Sequence, residues 1–241
     1  MKESTTWYSP RVGREVTTVR WGHFGKPVLI FPTAGGDAEE IERFHVIRVL
    51  QELIDAGRIK VYSCDSVAGS VLLKGEGNLR HQCAMWGRFQ DFIRHELVPA
   101  IRMDCGDPEM GIIAAGSSIG AFNAVAVTCR YPDAFTHAIG MSGTYDLTRF
   151  FDGQPTADFH YASPVHFLPD APDSVVAPLR ERFILLASGE GKAEDIGESW
   201  RLAQILGQRG VPNRVDSWGP DWTHDWPTWR NMLPKYLGEM T

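Results

Sequence analysis

The stretch GIIAAGSSIGAFNAV, residues 111–125, changes character at its centre. Its first half is a short apolar run of the kind that forms a strand covered on both faces, and its second half continues as a helix. The two meet at Gly116-Ser117-Ser118-Ile119-Gly120. A helix that leaves a strand so abruptly passes close to it, which requires small flanking residues, and Gly116, Gly120 and Ala121 provide them. The pentapeptide matches G-x-S-x-G between a strand and a helix, where the central serine takes a strained backbone that lifts its hydroxyl above the sheet. Ser118 is therefore the candidate nucleophile, and Ser117, displaced from the apex, is the weaker one. A tight turn without chemistry would use the same residues, so the rest of the chain has to decide.

Outward from this turn, further strands are expected at 15–22, 26–32, 59–66, 110–116, 136–143, 182–189 and 213–219, most of them continuous apolar runs. Helical spacing of Ile41, Phe44, Ile47, Leu50 and Ile54 predicts a helix over 40–55. Trp86, Phe89, Ile93, Leu97 and Ile101 predict another over 83–102. Further helices are expected from the serine turn to about Arg130, from Glu194 to about Arg209, and from about Pro227 to Leu237. Strands alternating with helices imply a mostly parallel central sheet with helices on both faces, a three-layer α/β domain occupying residues 1–241. The longest irregular piece, 145–178, is rich in Pro, Asp and aromatics and reads as a lid or pocket-forming loop.

Composition excludes several classes. The net charge of −6 comes from signs mixed along 241 residues, without the basic block that a nucleic-acid partner needs. No apolar run is long enough to cross a membrane, and the N-terminal MKESTTWYSPRVGREV has no apolar core of a signal peptide, so a cytoplasmic protein is expected. Cys64, Cys83, Cys105 and Cys129 occur singly and read as reduced, buried thiols. H-E-x-x-H, C-x-x-C, Walker A and dinucleotide patterns are missing, so neither a metal nor another cofactor is implied.

A serine hydroxyl needs a base, and the base needs a group to orient it. In chain order the acid comes before the histidine. His224, in GPDWTHDWPTW after the last expected strand, is placed to reach back over Ser118. The acid is expected in ASGEGKAEDIGESW, where Glu190, Glu194 and Asp195 compete. Glu194 is preferred because, beyond Gly191, it has room to turn toward the histidine. Oxyanion donors are expected at the Ile119 N–H, at the start of a helix, and at the Ala34 N–H in FPTAGGDAEE, with Thr33 next.

These residues resemble the "putative esterase" family of α/β-hydrolases, which includes esterase D-like S-formylglutathione hydrolases and mycobacterial mycolyltransferases. The likeness is carried by LIFPTAGGD, VYSCDS, AAGSSIGAFNAVAVTCRYPDAFTHAIGMSGTYDL and HDWPTW, the last fitting H-x-W-P-x-W. The resemblance implies an α/β-hydrolase fold, Ser118 as nucleophile, His224 as base and an acid in the 190–195 loop. The expected activity is hydrolysis of a small carboxylic ester or thioester through an acyl-enzyme. Acyl transfer to an alcohol would use the same residues, and a non-catalytic binding protein with its eight tryptophans lining a recognition surface is the alternative from another class. Phe150, Phe151, Phe159, Tyr161 and Trp222 are candidates for shaping the pocket. Neither the acyl and alcohol parts of the substrate nor an oligomeric state has a signature in the sequence.

Overall fold

The computed structural model describes residues 1–151 and 155–241. Eight strands form one sheet: β1 Lys2–Ser9, β2 Arg14–Trp21, β3 Lys26–Phe31, β4 Ile59–Cys64, β5 Ile112–Ser117, β6 Phe135–Met141, β7 Phe183–Ser188 and β8 Asn213–Ser217. Their order across the sheet is β1-β2-β4-β3-β5-β6-β7-β8. β1, β2 and β4 run antiparallel to one another in turn, and every neighbouring pair from β4 to β8 is parallel.

Both faces of the parallel part are covered, which is why its strands read as continuous apolar runs. Val28 and Ile30 of β3 join Ile113, Ala115 and Ile139 against the C-terminal helix Trp226–Met240. Leu29 and Phe31 point the other way, to Ile112, Ala114, Trp86, Phe89 and Phe122. A third cluster joins Ala121, Val125, Ala138, Ile184 and Leu186 to Leu202 and Leu206 of the helix Ile196–Gln208. Between these clusters lies the helix Ile119–Arg130, buried at every position from Ile119 to Cys129.

Several elements differ from expectation, among them a helix, Val67–Lys74, where none is expected. The helix expected over 40–55 is broken into Glu40–Arg43, Val46–Val49 and Gln51–Asp55, with His45 left-handed at φ 63°. The break lets Phe44 leave the apolar face and stack on Trp226 at 4.4 Å, while Ile41, Ile47, Leu50 and Ile54 stay in the core. The helix expected over 83–102 begins earlier, at Leu79 behind an Asn78 cap, and continues through a π-type segment, Ile93–Leu97, to Cys105. β1 has no counterpart among the expected strands. It is an edge strand whose polar, mostly exposed KESTTWYS carries no apolar run. The segment 145–178 holds only short helical turns, and residues 152–154 of that expected lid lie outside the described residues.

The topology fixes where a site can form. The chain passes from β3 to β4 on one side and then returns to β5 on the other, so the crossover direction reverses at the β3–β5 pair, Phe31 opposite Gly116. Loops leaving the carboxyl ends of two such strands diverge and leave a crevice. Here those loops are residues 32–39 and the turn at Ser118.

The helix Ile119–Arg130 crosses this edge with no space to spare. A Cβ on Gly120 would lie within 2.6 Å of the carbonyl oxygens of Phe31 and Pro32. Gly120→Ala is therefore expected to cost about 2 kcal/mol or more in urea unfolding, since rigid backbone has to move. Gly207→Ala, in a helix where the added methyl meets nothing within 4 Å, should instead stabilise by about 0.5–1 kcal/mol.

Candidate active site

Ser118 lies between β5 and the helix Ile119–Arg130 with φ 56° and ψ −122°. Few L-residues adopt this backbone, which costs about 1–3 kcal/mol and persists only when the surroundings enforce it. They do so here from three directions. The Ser118 N–H donates to the Met141 carbonyl at 3.0 Å, and its own carbonyl accepts from the Ala121 N–H at 3.1 Å. Gly116 lies against Gly120 so closely that a Cβ there would overlap the Gly120 carbonyl. Ser117 is buried in β5 opposite Met141, whereas Ser118 is partly exposed. Ile119 opens a helix of 12 residues, so its N–H has no acceptor within the helix.

His224 sits between β8 and the C-terminal helix. Its Nδ1 lies 3.4 Å from Glu194 Oε2, a long hydrogen bond, and its ring stands edge-on to Trp229 at 5.2 Å. The loops that carry the two residues are laced together by their backbones. Trp218 donates to Ser188, Glu190 to Gly219, Gly191 to Trp222 and His224 to Lys192, at 2.9 to 3.1 Å. Gly189 permits this, because a Cβ there would overlap the Trp222 carbonyl. Among the described residues no hydrogen bond joins Ser118 to His224.

The three acidic residues of the 190–195 loop go to different places. Glu190 is exposed and accepts from Ser217 Oγ at 2.5 Å, while Asp195 caps the following helix through the Gly197 N–H at 3.0 Å. Glu194 alone turns inward, behind Ala193 at φ 63°, and its side chain is 1% exposed. Ser142 Oγ donates to Glu194 Oε1 at 2.6 Å and Ser188 Oγ approaches Oε2 at 3.4 Å. Ser142 Oγ accepts in turn from Trp229 Nε1 at 3.0 Å. Ser142 is itself left-handed, φ 47°, and its N–H donates to Ala187.

Sequence reading did not single out Ser142 or Trp229. A serine after a strand and a tryptophan in a helix carry no signature of such a chain of hydrogen bonds. On the other side of the crevice, the Thr33 N–H is taken by Glu40 Oε2 at 2.7 Å, while the Ala34 N–H has no backbone acceptor among the described residues. Of the aromatics expected to shape a pocket, Phe151 and Phe159 belong to the core instead. Phe159 stacks on Phe122 at 6.1 Å and meets Trp86 edge-on, whereas Phe150 and Tyr161 are exposed.

The family model described as "Putative esterase" matches residues 81–240. The chain belongs to this esterase family. Ester hydrolysis is accordingly its general activity. Among solved structures, the esterase is similar to a ferulic acid esterase at 18% identity and TM-score 0.74, covering 100% of this chain and 97% of that one. An S-formylglutathione hydrolase from Agrobacterium tumefaciens matches at 12% identity and TM-score 0.74, over 99% and 94% of the two chains. Mycobacterium tuberculosis MPT51 (FbpC1) matches at 17% identity and TM-score 0.73, over 100% and 97%. These likenesses establish the α/β-hydrolase fold. No curated protein matches the sequence. Among the described residues no cluster of His, Cys, Asp and Glu is disposed to hold a metal ion, and no helix is long and apolar enough to cross a membrane.

The Trp229–Ser142–Glu194 chain makes a measurable claim. Ser142→Ala removes a donor from a buried carboxylate and leaves the Trp229 N–H unpaired, which should cost about 2–3 kcal/mol. Trp229→Phe should then cost less in the Ser142→Ala background than in the wild type, because the hydrogen bond it deletes is already gone. A double-mutant cycle by urea denaturation measures the difference, and additive costs would mean that the three groups do not act as one chain.

Proposed function

We propose that this esterase cleaves a small carboxylic ester or thioester through an acyl-enzyme on Ser118, with His224 as general base and Glu194 as the acid that orients it. The observation that carries this reading is the buried Glu194 carboxylate facing His224 Nδ1 across the carboxyl ends of β7 and β8, beside a serine in a strained turn. With Nδ1 held by Glu194, Nε2 is the ring nitrogen left to take the serine proton.

In the first half-reaction Ser118 Oγ attacks the ester carbonyl carbon and its proton passes to His224 Nε2. The negative charge that forms on the carbonyl oxygen is met by the N–H groups of Ile119 and Ala34. Collapse expels the alcohol or thiol, which leaves with the proton from His224. Water then gives its proton to His224 and attacks the acyl group, and the second collapse returns the proton to Ser118. Glu194 stabilises the imidazolium formed in each half and keeps the ring from turning.

Hydrolysis of p-nitrophenyl and thioester substrates should fall by about 10⁴-fold or more in Ser118→Ala and in His224→Ala. Glu194→Ala should lose most of its activity, whereas Glu190→Ala and Asp195→Ala stay within about threefold of wild type. A fluorophosphonate should add one equivalent, at Ser118, as read by intact mass and peptide mapping. A folded wild type that hydrolyses none of these substrates and takes no label would sink the reading.

A further inference from the structure

Glu40 is a buried carboxylate that the reaction above does not use. It is 7% exposed. Its neighbours are local: Thr33 N–H donates to Oε2 at 2.7 Å and Thr33 Oγ1 donates to Oε1 at 2.8 Å. Gly36 closes over it, since a Cβ on Gly36 would collide with the carboxyl group. Two charged side chains are nearby, Arg43 and Asp37, and they pair with each other at 2.8 Å. Burial pushes the Glu40 carboxyl above its ordinary range, and the two Thr33 donors pull it back only in part.

These contacts bear on a single short loop, residues 33–36. Its other side is held by the segment after β4. The Ser66 N–H donates to the Gly36 carbonyl at 3.0 Å, and the Ala34 carbonyl rests on Gly69, where a Cβ would overlap it. Within the loop, the Gly36 N–H closes back on the Thr33 carbonyl at 3.1 Å. The clamp thus engages the N–H of Thr33 and the carbonyls of Thr33, Ala34 and Gly36, and leaves the N–H groups of Ala34 and Gly35 without a backbone acceptor among the described residues; of the two, Ala34 is the nearer to the end of β3. Thr33 follows β3 by two residues, beside the strand that carries Ser118.

We infer that Glu40 is a positioning residue for ester cleavage: it holds the 33–36 loop so that the Ala34 N–H faces the oxyanion that forms on the Ser118-bound carbonyl. The inference rests on the reading of Ser118 and Ala34 proposed above. It deepens that reading by naming the group that fixes the loop bearing the second oxyanion donor. An oxyanion donor that is about 1 Å out of place loses most of its effect on the transition state while ground-state binding is little changed. Loss of the clamp therefore lowers kcat and leaves KM.

The test compares wild type, Glu40→Ala, Glu40→Gln and Ser118→Ala on a p-nitrophenyl ester and on a thioester. A fluorophosphonate labelling rate and a thermal melt are taken for each. The Glu40→Gln side chain keeps an oxygen for the Thr33 N–H and offers an amide to Thr33 Oγ1, whereas alanine keeps neither. The expected result is a kcat lower by about 10- to 100-fold in Glu40→Ala with KM within about threefold, a labelling rate reduced in parallel, and both restored to within about threefold by Glu40→Gln. Unchanged kcat in a folded Glu40→Ala overturns the inference, as does a loss expressed in KM alone. A Glu40→Gln variant as impaired as Glu40→Ala while melting like wild type also overturns it. Those results leave the Ser118 reading standing. Retained hydrolysis and labelling in Ser118→Ala, or neither in the wild type, removes that reading and this inference with it.

Discussion

The structure depends on one close approach, that of the helix Ile119–Arg130 to the edge of β3 and β5. Because Gly116 and Gly120 have no side chains, the helix starts immediately above the strand it leaves, and Ser118 is forced to φ 56°. The strain, about 1–3 kcal/mol, is small beside what the helix gains by being buried at every position from Ile119 to Cys129. A buried Leu- or Val-sized side chain contributes about 1.5–3 kcal/mol, so a few such contacts offset the turn. The strained turn at Ser118 is thus held by the core beneath it and not by the loops that surround it.

The loops use a different device, a buried carboxylate that gathers donors. Glu194 draws on Ser142 and the His224 ring at the ends of β6 and β8, with the Ser188 hydroxyl, which donates to the Gly189 carbonyl at 2.9 Å, close by at the end of β7, and Glu40 draws on both donors of Thr33 after β3. Burying a carboxylate is unfavourable unless such partners replace water. For Glu40 the replacement is incomplete, since its proton is held more tightly in the folded chain than in the unfolded one. A carboxyl raised in this way favours the folded state when protonated, and that contribution is lost as pH rises through its raised value. The ionised form of Glu40 is therefore a cost to the fold, which an uncharged residue would avoid.

The parallel sheet and its two covered faces were legible because each inner strand is a continuous apolar run, and the serine turn because it forces glycines at fixed places. Its place beyond Gly191 favours Glu194 over Glu190 and leaves Asp195 open, and of the three only Glu194 meets His224. What escaped the sequence has physical causes. The strand β1 is polar because it is an exposed edge, paired only with β2. The helix over 40–55 keeps its apolar spacing through a left-handed His45, so periodicity cannot reveal the break. Ser142, Trp229 and Glu40 act through contacts between segments far apart in sequence or folded back on themselves, and no local pattern encodes a hydrogen-bond partner. The aromatics of 145–178 mislead for the opposite reason. Phe159 in a polar segment looks like a ligand contact, yet it is a core residue beside Phe122 and Trp86.

The partners of Glu194 also bear on how it would act in the proposed reaction. Among the described residues its side-chain partners are two serine hydroxyls and a histidine, with no lysine or arginine. Hydroxyl donors anchor a carboxylate in direction while leaving its net charge in place, whereas a guanidinium would neutralise it before the reaction began. In the proposed reaction that charge would act on the one group beside it that changes charge, the His224 ring. With 1% of the Glu194 side chain exposed, water screens that interaction little. On the proposed mechanism the stabilisation would arise mainly when the ring becomes cationic, as Ser118 attacks and again as water does. An acid held by hydroxyls would favour the transition state over the resting enzyme more than an acid held by a cation would.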